Sequence, residues 1–238
     1  METVYERVNA LRRDQGRFIL DTGAATYRAR AVIVAAGATP TPLGVPGETD
    51  RIGHGVSYCA TCDAAFYPDR EVAVVGGGDA AIDEALITAR HASRVTVVHR
   101  RDRLRATAVL QERARANAKI VFRWNTVVEE ILGNRRVEAL ALRDVVTGEV
   151  SQLAVDAVFV LIGERPNIEL VRDLVALDPR GFVPVTAWME TSVPGLLVVG
   201  DLRANAARQV VSAAGDGATA AIRAERYLEE SSAEAASG

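Results

Sequence analysis

A chain of 238 residues can bury a substantial core, as one large domain or as two moderate ones. Its formal net charge of -3 and aromatic content of 5% argue against nucleic acid or an anionic membrane surface as partner. No apolar run approaches the length that spans a bilayer, and Met1-Glu-Thr-Val-Tyr-Glu-Arg has no signal-peptide core, so a cytoplasmic location is expected.

Residues 4 to 34 read as short strands, at Val4 to Val8, Arg17 to Leu20 and Ala31 to Val34, with Asp21-Thr22-Gly23 as a turn between two of them. Ala35-Ala36-Gly37 follows directly. Pro40, Pro42, Pro46 and Gly47 then break any regular element and mark a crossing between domains.

Tyr58-Cys59-Ala60-Thr61-Cys62-Asp63 holds both cysteines of the chain, with a carboxylate beside the second. A pair at this spacing can close a disulfide and open it again without unfolding anything. As a staple it would constrain the unfolded chain too little to hold a fold of this size. The alternatives are half a zinc site or two inert cysteines. Zinc would need further ligands from His54, His91 or His99, whose spacings fit none of the usual patterns, so no metal is expected. Redox chemistry is the leading reading, and it suits a chain of the reducing cytoplasm, where a CxxC is more readily catalytic than structural.

Just downstream, Val72-Ala-Val-Val75 runs into Gly76-Gly-Gly78-Asp79-Ala80-Ala81 and then a helical pattern. The order is strand, glycine turn, helix. Gly76 permits a tight turn, Gly78 lets a pyrophosphate approach the backbone, and Ala81 allows close helix packing, with the helix's first amides facing the phosphates. The plainer reading is an ordinary glycine-rich turn. The next strand, Arg94 to Val98, ends in His99-Arg100-Arg101-Asp102 with Arg105 close behind. An acidic side chain here would suit the ribose hydroxyl of NAD; three arginines and a histidine suit a 2′-phosphate, so NADP is preferred over a merely solvated charge run.

Thr107 to Asn117 has helical periodicity, Lys119 to Phe122 reads as a strand, and Thr126 to Val150 alternates as a meander with turns at Gly133-Asn134 and Thr147-Gly148. Asp156 to Leu161 is apolar and buried in pattern and ends at Ile162-Gly163, closing this domain beside the nucleotide. Beyond it are a helix at Ile168 to Leu177, strands at Phe182 to Val185 and Leu196 to Val199, and a helix from about Arg208 to Glu229. Ser231 to Gly238 is small and polar, and disorder is expected there.

The runs "CATCD", "VAVVGGGDAAIDEA" and "VVHRRDRLRA" together resemble low-molecular-weight thioredoxin reductase. The resemblance extends through "AVIVAAGATP" at 31 to 40, "VFVLIGERPN" at 158 to 167, "TSVPGLLVVGD" at 191 to 201 and "RQVVSAAGDGATAA" at 208 to 221. It implies an α/β protein of two Rossmann-like, three-layer dinucleotide-binding domains. The FAD domain would be discontinuous, residues 1–40 and 164–238, with an NADPH domain of residues 41–163 inserted and carrying the CxxC. Family members pass electrons from NADPH to FAD, from FAD to the disulfide, and from the dithiol to a thioredoxin-like protein, usually as homodimers. By the same resemblance Gly76, Gly78, Asp79, Ala81, His99, Arg100, Arg101, Arg105, Ile162 and Gly163 serve NADPH. Gly37, Gly200, Asp201 and the helix start at Arg208, Gln209 and Val210 serve FAD, Asp201 toward the ribityl chain and the helix dipole toward the flavin's pyrimidine edge. Cys62 is the sulfur nearer the flavin and Cys59 its partner. Asp63 is either the acid for the departing sulfur or a helix N-terminal charge; Asp201 and its helix read equally well as a turn cap and plain packing.

One departure from the family stands out. A full member opens with its own strand, GxGxxG turn and helix for the ADP half of FAD, and no such motif precedes residue 76. An N-terminally truncated FAD domain is therefore expected, and FAD is implied for the family rather than for this chain. The alternative function is a non-enzymatic fragment, or half of a split flavoenzyme, that binds NADP without FAD. Both nicotinamide and disulfide need the flavin while lying in one domain, which places hinges near residues 40 and 164.

Overall fold

The computed structural model describes the backbone of residues 2–237 and the side chains of residues 2–233. The chain divides into two compact units, Met1–Thr39 with Arg165–Gly238, and Pro40–Glu164. The first begins with strands β1 (Ala10–Asp14), β2 (Arg17–Asp21), β3 (Thr26–Ala29) and β4 (Val32–Val34), and the chain leaves it along β5 (Ala38–Pro40). The second holds β6 (Val56–Ser57), α1 (Ala60–Asp63), β7 (Glu71–Gly76), α2 (Asp79–Thr88), β8 (Arg94–Val98), α3 (Ala108–Ala116) and β9 (Ile120–Arg123). It continues with β10 (Thr126–Leu132), β11 (Ala139–Asp144), β12 (Val150–Ala154) and β13 (Ala157–Leu161). The chain returns along β14 (Glu164–Pro166) to β15 (Leu196–Val198) and the long α4 (Val210–Ser237).

In the second unit the most apolar runs form a parallel sheet in the order β6-β13-β7-β8-β9. Its middle strands are buried on both faces, which is why they read as unbroken apolar runs. Val72, Val74, Val95, Val97 and Phe159 share one core with Ile82, Ala85 and Leu86 of α2. Ala73, Val75, Val98, Val158 and Val160, one residue out of step, share another with Val128, Ile131, Leu140 and Leu142 of the antiparallel β10-β11-β12 sheet. The two-residue period of a strand thus sorts one sequence into two cores and gives three layers: helices, parallel sheet, antiparallel sheet. The meander extends past Val150, since β12 continues to Ala154. Its last turn is closed by Asp144, whose carboxylate accepts the amides of Val146 at 2.8 Å and Thr147 at 2.9 Å. Those bonds hold the Asp144 carboxyl below its ordinary value.

In the first unit β15 pairs with β4 in parallel, and β1, β2 and β3 form an antiparallel sheet. Leu196, Val198 and Val34 pack with Phe18, Val171 and Leu202. Leu197 and Val199 face the other way, onto Met189 and Ala220 of α4.

Five expectations are corrected in this unit. Val4 to Val8 form no strand; the first strand starts at Ala10, where partners for the backbone are available on β2. The Asp21-Thr22-Gly23 turn leads into β3, which pairs with β2 and was not anticipated. Ile168 to Leu177 is a run of turns, because Val171 and Leu174 bond three residues back while Arg172 and Val175 bond four back. Buried Val171 and Val175 supplied the helical spacing that suggested a helix. Phe182 to Val185 contributes only an isolated bridge between Val183 and Arg203. At the other end α4 runs through the segment expected to be disordered, as far as Ser237, for its alanines and glutamates are good helix formers; Gly238 lies outside the described residues.

Candidate active site

The glycine turn closes the carboxyl end of β7. Gly76 has φ +157°, and a Cβ there would lie 2.4 Å from the Leu161 carbonyl oxygen and 2.6 Å from Cβ of Ala81. A side chain would therefore separate β7 from both β13 and α2. At Gly77 a Cβ would lie 2.3 Å from the His99 ring, whereas around Gly78 there is open space. Gly78 caps α2, so the first amides of that helix face a cleared surface. A crowded underside with an open upper face is the cradle that a pyrophosphate requires. Leu161 pairs with Gly76, so Ile162 and Gly163 emerge beside the same turn.

The arginine segment is tied back onto this cradle. The Arg105 amide donates to the Gly77 carbonyl at 2.8 Å and the Ala106 amide to the same oxygen at 3.2 Å. Asp79 accepts the Thr107 amide at 2.6 Å. Arg100, Arg101 and Arg105 are exposed near the turn, and His99 is not: it is 7% exposed, with Nε2 3.0 Å from the Arg103 carbonyl. Burial chiefly, aided by the charges of Arg101 and Arg105, pushes its imidazole below its ordinary value. A neutral histidine under Gly77 props the turn, while the arginines carry the charge that a phosphate would meet.

Cys59 and Cys62 form a disulfide, with Cα atoms 5.3 Å apart. Cys59 is the N-cap of α1, and its sulfur accepts the Cys62 amide at 3.1 Å. The Ser57 hydroxyl donates to Asp63 at 2.7 Å and accepts the Cys59 amide at 3.1 Å. Glu84 of α2 accepts the Ala60 amide. Behind the segment Glu48, 3% exposed, accepts the Leu43 and Gly44 amides at 2.8 and 2.7 Å and the Tyr58 hydroxyl at 2.9 Å. Burial first, and then Glu48, pushes the Tyr58 phenol up to about 12. The roles of Ser57, Glu48 and Glu84 were not read from the sequence.

In the first unit Val34 pairs with Val198, so Ala35-Ala36-Gly37 and Gly200-Asp201 leave the sheet at one end. Asn167 fixes the first of these, its side-chain amide donating to the Ala36 carbonyl at 2.8 Å and its backbone amide to that of Gly37 at 3.1 Å. Asp216 fixes the second: it accepts the Gly200 amide at 3.1 Å and binds Arg203 at 2.6 and 3.1 Å. Asp216 sits in α4, whose first residues Val210 and Val211 are 85% and 84% exposed after Arg208 and Gln209. Asp201 is half-buried in a short turn of 3-10 helix. These groups fit the flavin end of FAD. Residues 2–75 contain no strand, glycine turn and helix that fit its diphosphate. Among the described residues no cluster of His, Cys, Asp or Glu could hold a metal ion.

A parallel sheet with an open glycine turn at a helix start, and a CxxC disulfide gripped by that same helix, defines a class of redox protein. The family described as pyridine nucleotide-disulphide oxidoreductase matches residues 1–217, and this chain belongs to it. The thioredoxin reductase of Peptoclostridium litorale is 48% identical over 214 residues, 87% of this chain and 68% of that protein. That of Treponema pallidum is 43% identical over 228 residues, 96% of this chain and 74% of that protein. The crystal structure of thioredoxin reductase from Streptococcus pyogenes superposes with a TM-score of 0.90 at 43% identity, over 95% of this chain and 74% of that one. Within the family the chain is an oxidoreductase of thioredoxin reductase type, and Cys59–Cys62 fits its redox-active disulfide.

Proposed function

We propose that this chain uses NADPH and FAD to reduce the Cys59–Cys62 disulfide and that the resulting dithiol reduces a thioredoxin-like protein, in the cytoplasm and as a homodimer. The observation that carries the reading is the disulfide itself, exposed at Cys62 and built onto the same unit as the nucleotide cradle. NADPH would lay its pyrophosphate over Gly76 to Ala81, with Asp79 holding the following loop, and its 2′-phosphate against Arg100, Arg101 and Arg105, beside Ile162 and Gly163. His99 would support that site from beneath. Gly37, Gly200, Asp201, Arg208, Gln209 and Val210 would hold the flavin end of FAD. When bound, the nicotinamide and flavin supply hydride transfer and a two-electron reduction of the disulfide.

The chain's own groups divide the remaining work. Cys62 would take the electrons from the flavin and Cys59 would complete the pair. Asp63, which accepts a hydrogen bond from the Ser57 hydroxyl, would give a proton to a departing sulfur. The test is a visible absorption spectrum of the purified protein with added FAD, before and after NADPH, followed by reduction of a thioredoxin. Flavin bands that bleach, with reduction lost in Cys59→Ala and Cys62→Ala but NADPH affinity kept, are the expected result. Bleaching with thioredoxin reduction retained in both cysteine variants would overturn the assigned electron path.

A further inference from the structure

The amides at the start of α1 are shared between a disulfide sulfur and a carboxylate. Cys59 Sγ takes the Cys62 amide, and the Glu84 carboxylate takes that of Ala60, with Thr61 bonding the same carboxylate. Amides at such a turn are what ordinarily stabilise a thiolate and lower a thiol's pKa. Glu84 also comes from α2, the helix whose first residues form the nucleotide cradle, so its backbone position is fixed by the packing of Ile82 and Ala85.

We infer that Glu84 is a positioning residue for the redox pair: by occupying the Ala60 and Thr61 amides with a negative charge, it disfavours a thiolate there and so keeps the reduced pair a strong reductant. The reasoning rests on the proposed function of Cys59 and Cys62. Reduction breaks the S–S bond, takes up two electrons and leaves two sulfurs that bind protons; whatever stabilises the thiolate stabilises the reduced form and makes the pair a weaker reductant. Replacing the Glu84 carboxylate by a neutral acceptor would leave the Ala60 and Thr61 amides bonded but remove a nearby like charge, which favours a thiolate. The other charged groups that act on it are Glu164 at the start of β14 and Asp83 on its own helix. Burial raises the Glu84 carboxyl above its ordinary value and the two amides oppose that rise. The effect of Glu84 therefore fades in acid as it protonates.

The test uses the full chain, reduced and re-oxidised in dithiothreitol buffers, in which dithiothreitol supplies the two electrons and closes its own ring disulfide. Two readouts are followed in wild type, Glu84→Gln and Asp83→Asn: the pH midpoint of iodoacetamide alkylation and the equilibrium constant against dithiothreitol. Glu84→Gln keeps an oxygen acceptor for the amides and removes the charge. It is expected to lower the alkylation midpoint by about one pH unit and, at a pH above that midpoint where the thiolate is populated, to favour the reduced pair by up to about tenfold, or about 30 mV. Asp83→Asn is expected to move both much less. Equal shifts in the two variants would reduce the effect to net charge, and no shift in Glu84→Gln would overturn the inference outright. A Glu84→Asp variant, with the charge kept, should stay near wild type; a shift there as large as that of Glu84→Gln would count against it also. Failure of the wild-type pair to exchange with dithiothreitol would instead strike the proposed function, and this inference with it.

Discussion

His99 shows how much one residue's surroundings change its meaning. Beside three arginines it looks like a fourth cation, yet its ring lies under Gly77 and is held neutral by burial. Its folded pKa is below the unfolded value, so between the two the unfolded chain binds more protons and stability rises with pH. That contribution is present above the unfolded value of about 6.5 and is lost on acidification through it. The thermal midpoint of the wild type should thus fall more steeply from pH 7 to pH 5 than that of His99→Gln, and parallel curves would remove His99 as the cause. The same contact makes Gly77 intolerant. Gly77→Ala places a Cβ 2.3 Å from the ring, and overpacking of this kind costs about 1–3 kcal/mol. A lowered urea midpoint together with weaker NADPH binding is expected; an unchanged affinity would show that the turn relaxes without harm to the cradle.

Among the elements, α4 does more than cover the sheet. Its Asp216 reaches the turn after β15 and pairs there with Arg203, both side chains largely buried at 10% and 17% exposure. Removing one partner of a buried pair strands the other's charge, at a cost of about 3–5 kcal/mol. Asp216→Ala should therefore destabilise the first unit by about 3 kcal/mol in chemical denaturation, with a second, separate transition for the other unit left in place. A loss below about 1 kcal/mol would mean that Arg203 finds water. In the sequence Asp216 stood between two glycines of an amphipathic pattern, and nothing local distinguished it from a surface carboxylate. Glu84 was equally inconspicuous. Both act on residues far away in sequence, and such partners are chosen by packing.

For the whole molecule, the disulfide and the nucleotide cradle share the unit Pro40–Glu164, while the candidate flavin-end groups belong to the other. Under the proposed function each of the first two must reach the flavin, so the links at 39–40 and 164–165 have to move. A covalent cross-link between the units should leave NADPH binding intact and stop turnover, and full turnover in the linked protein would remove the hinge requirement. What the sequence determined by itself were the features whose physics is local: the glycine turn after an apolar strand, the CxxC spacing, the arginines at a strand end and the two-residue alternation of the meander. Each needs only neighbours a few residues off. It misjudged Val4 to Val8, which are mostly exposed and belong to no strand, and Ile168 to Leu177, where apolar spacing arises from tertiary contact without a regular element. The tertiary structure alone decided that His99 is a buried support, that Glu84 grips the redox turn and that Asp216 anchors Gly200. Burial and hydrogen-bond partners over long sequence separations exist only once the chain has folded, and those are what set a side chain's charge and role.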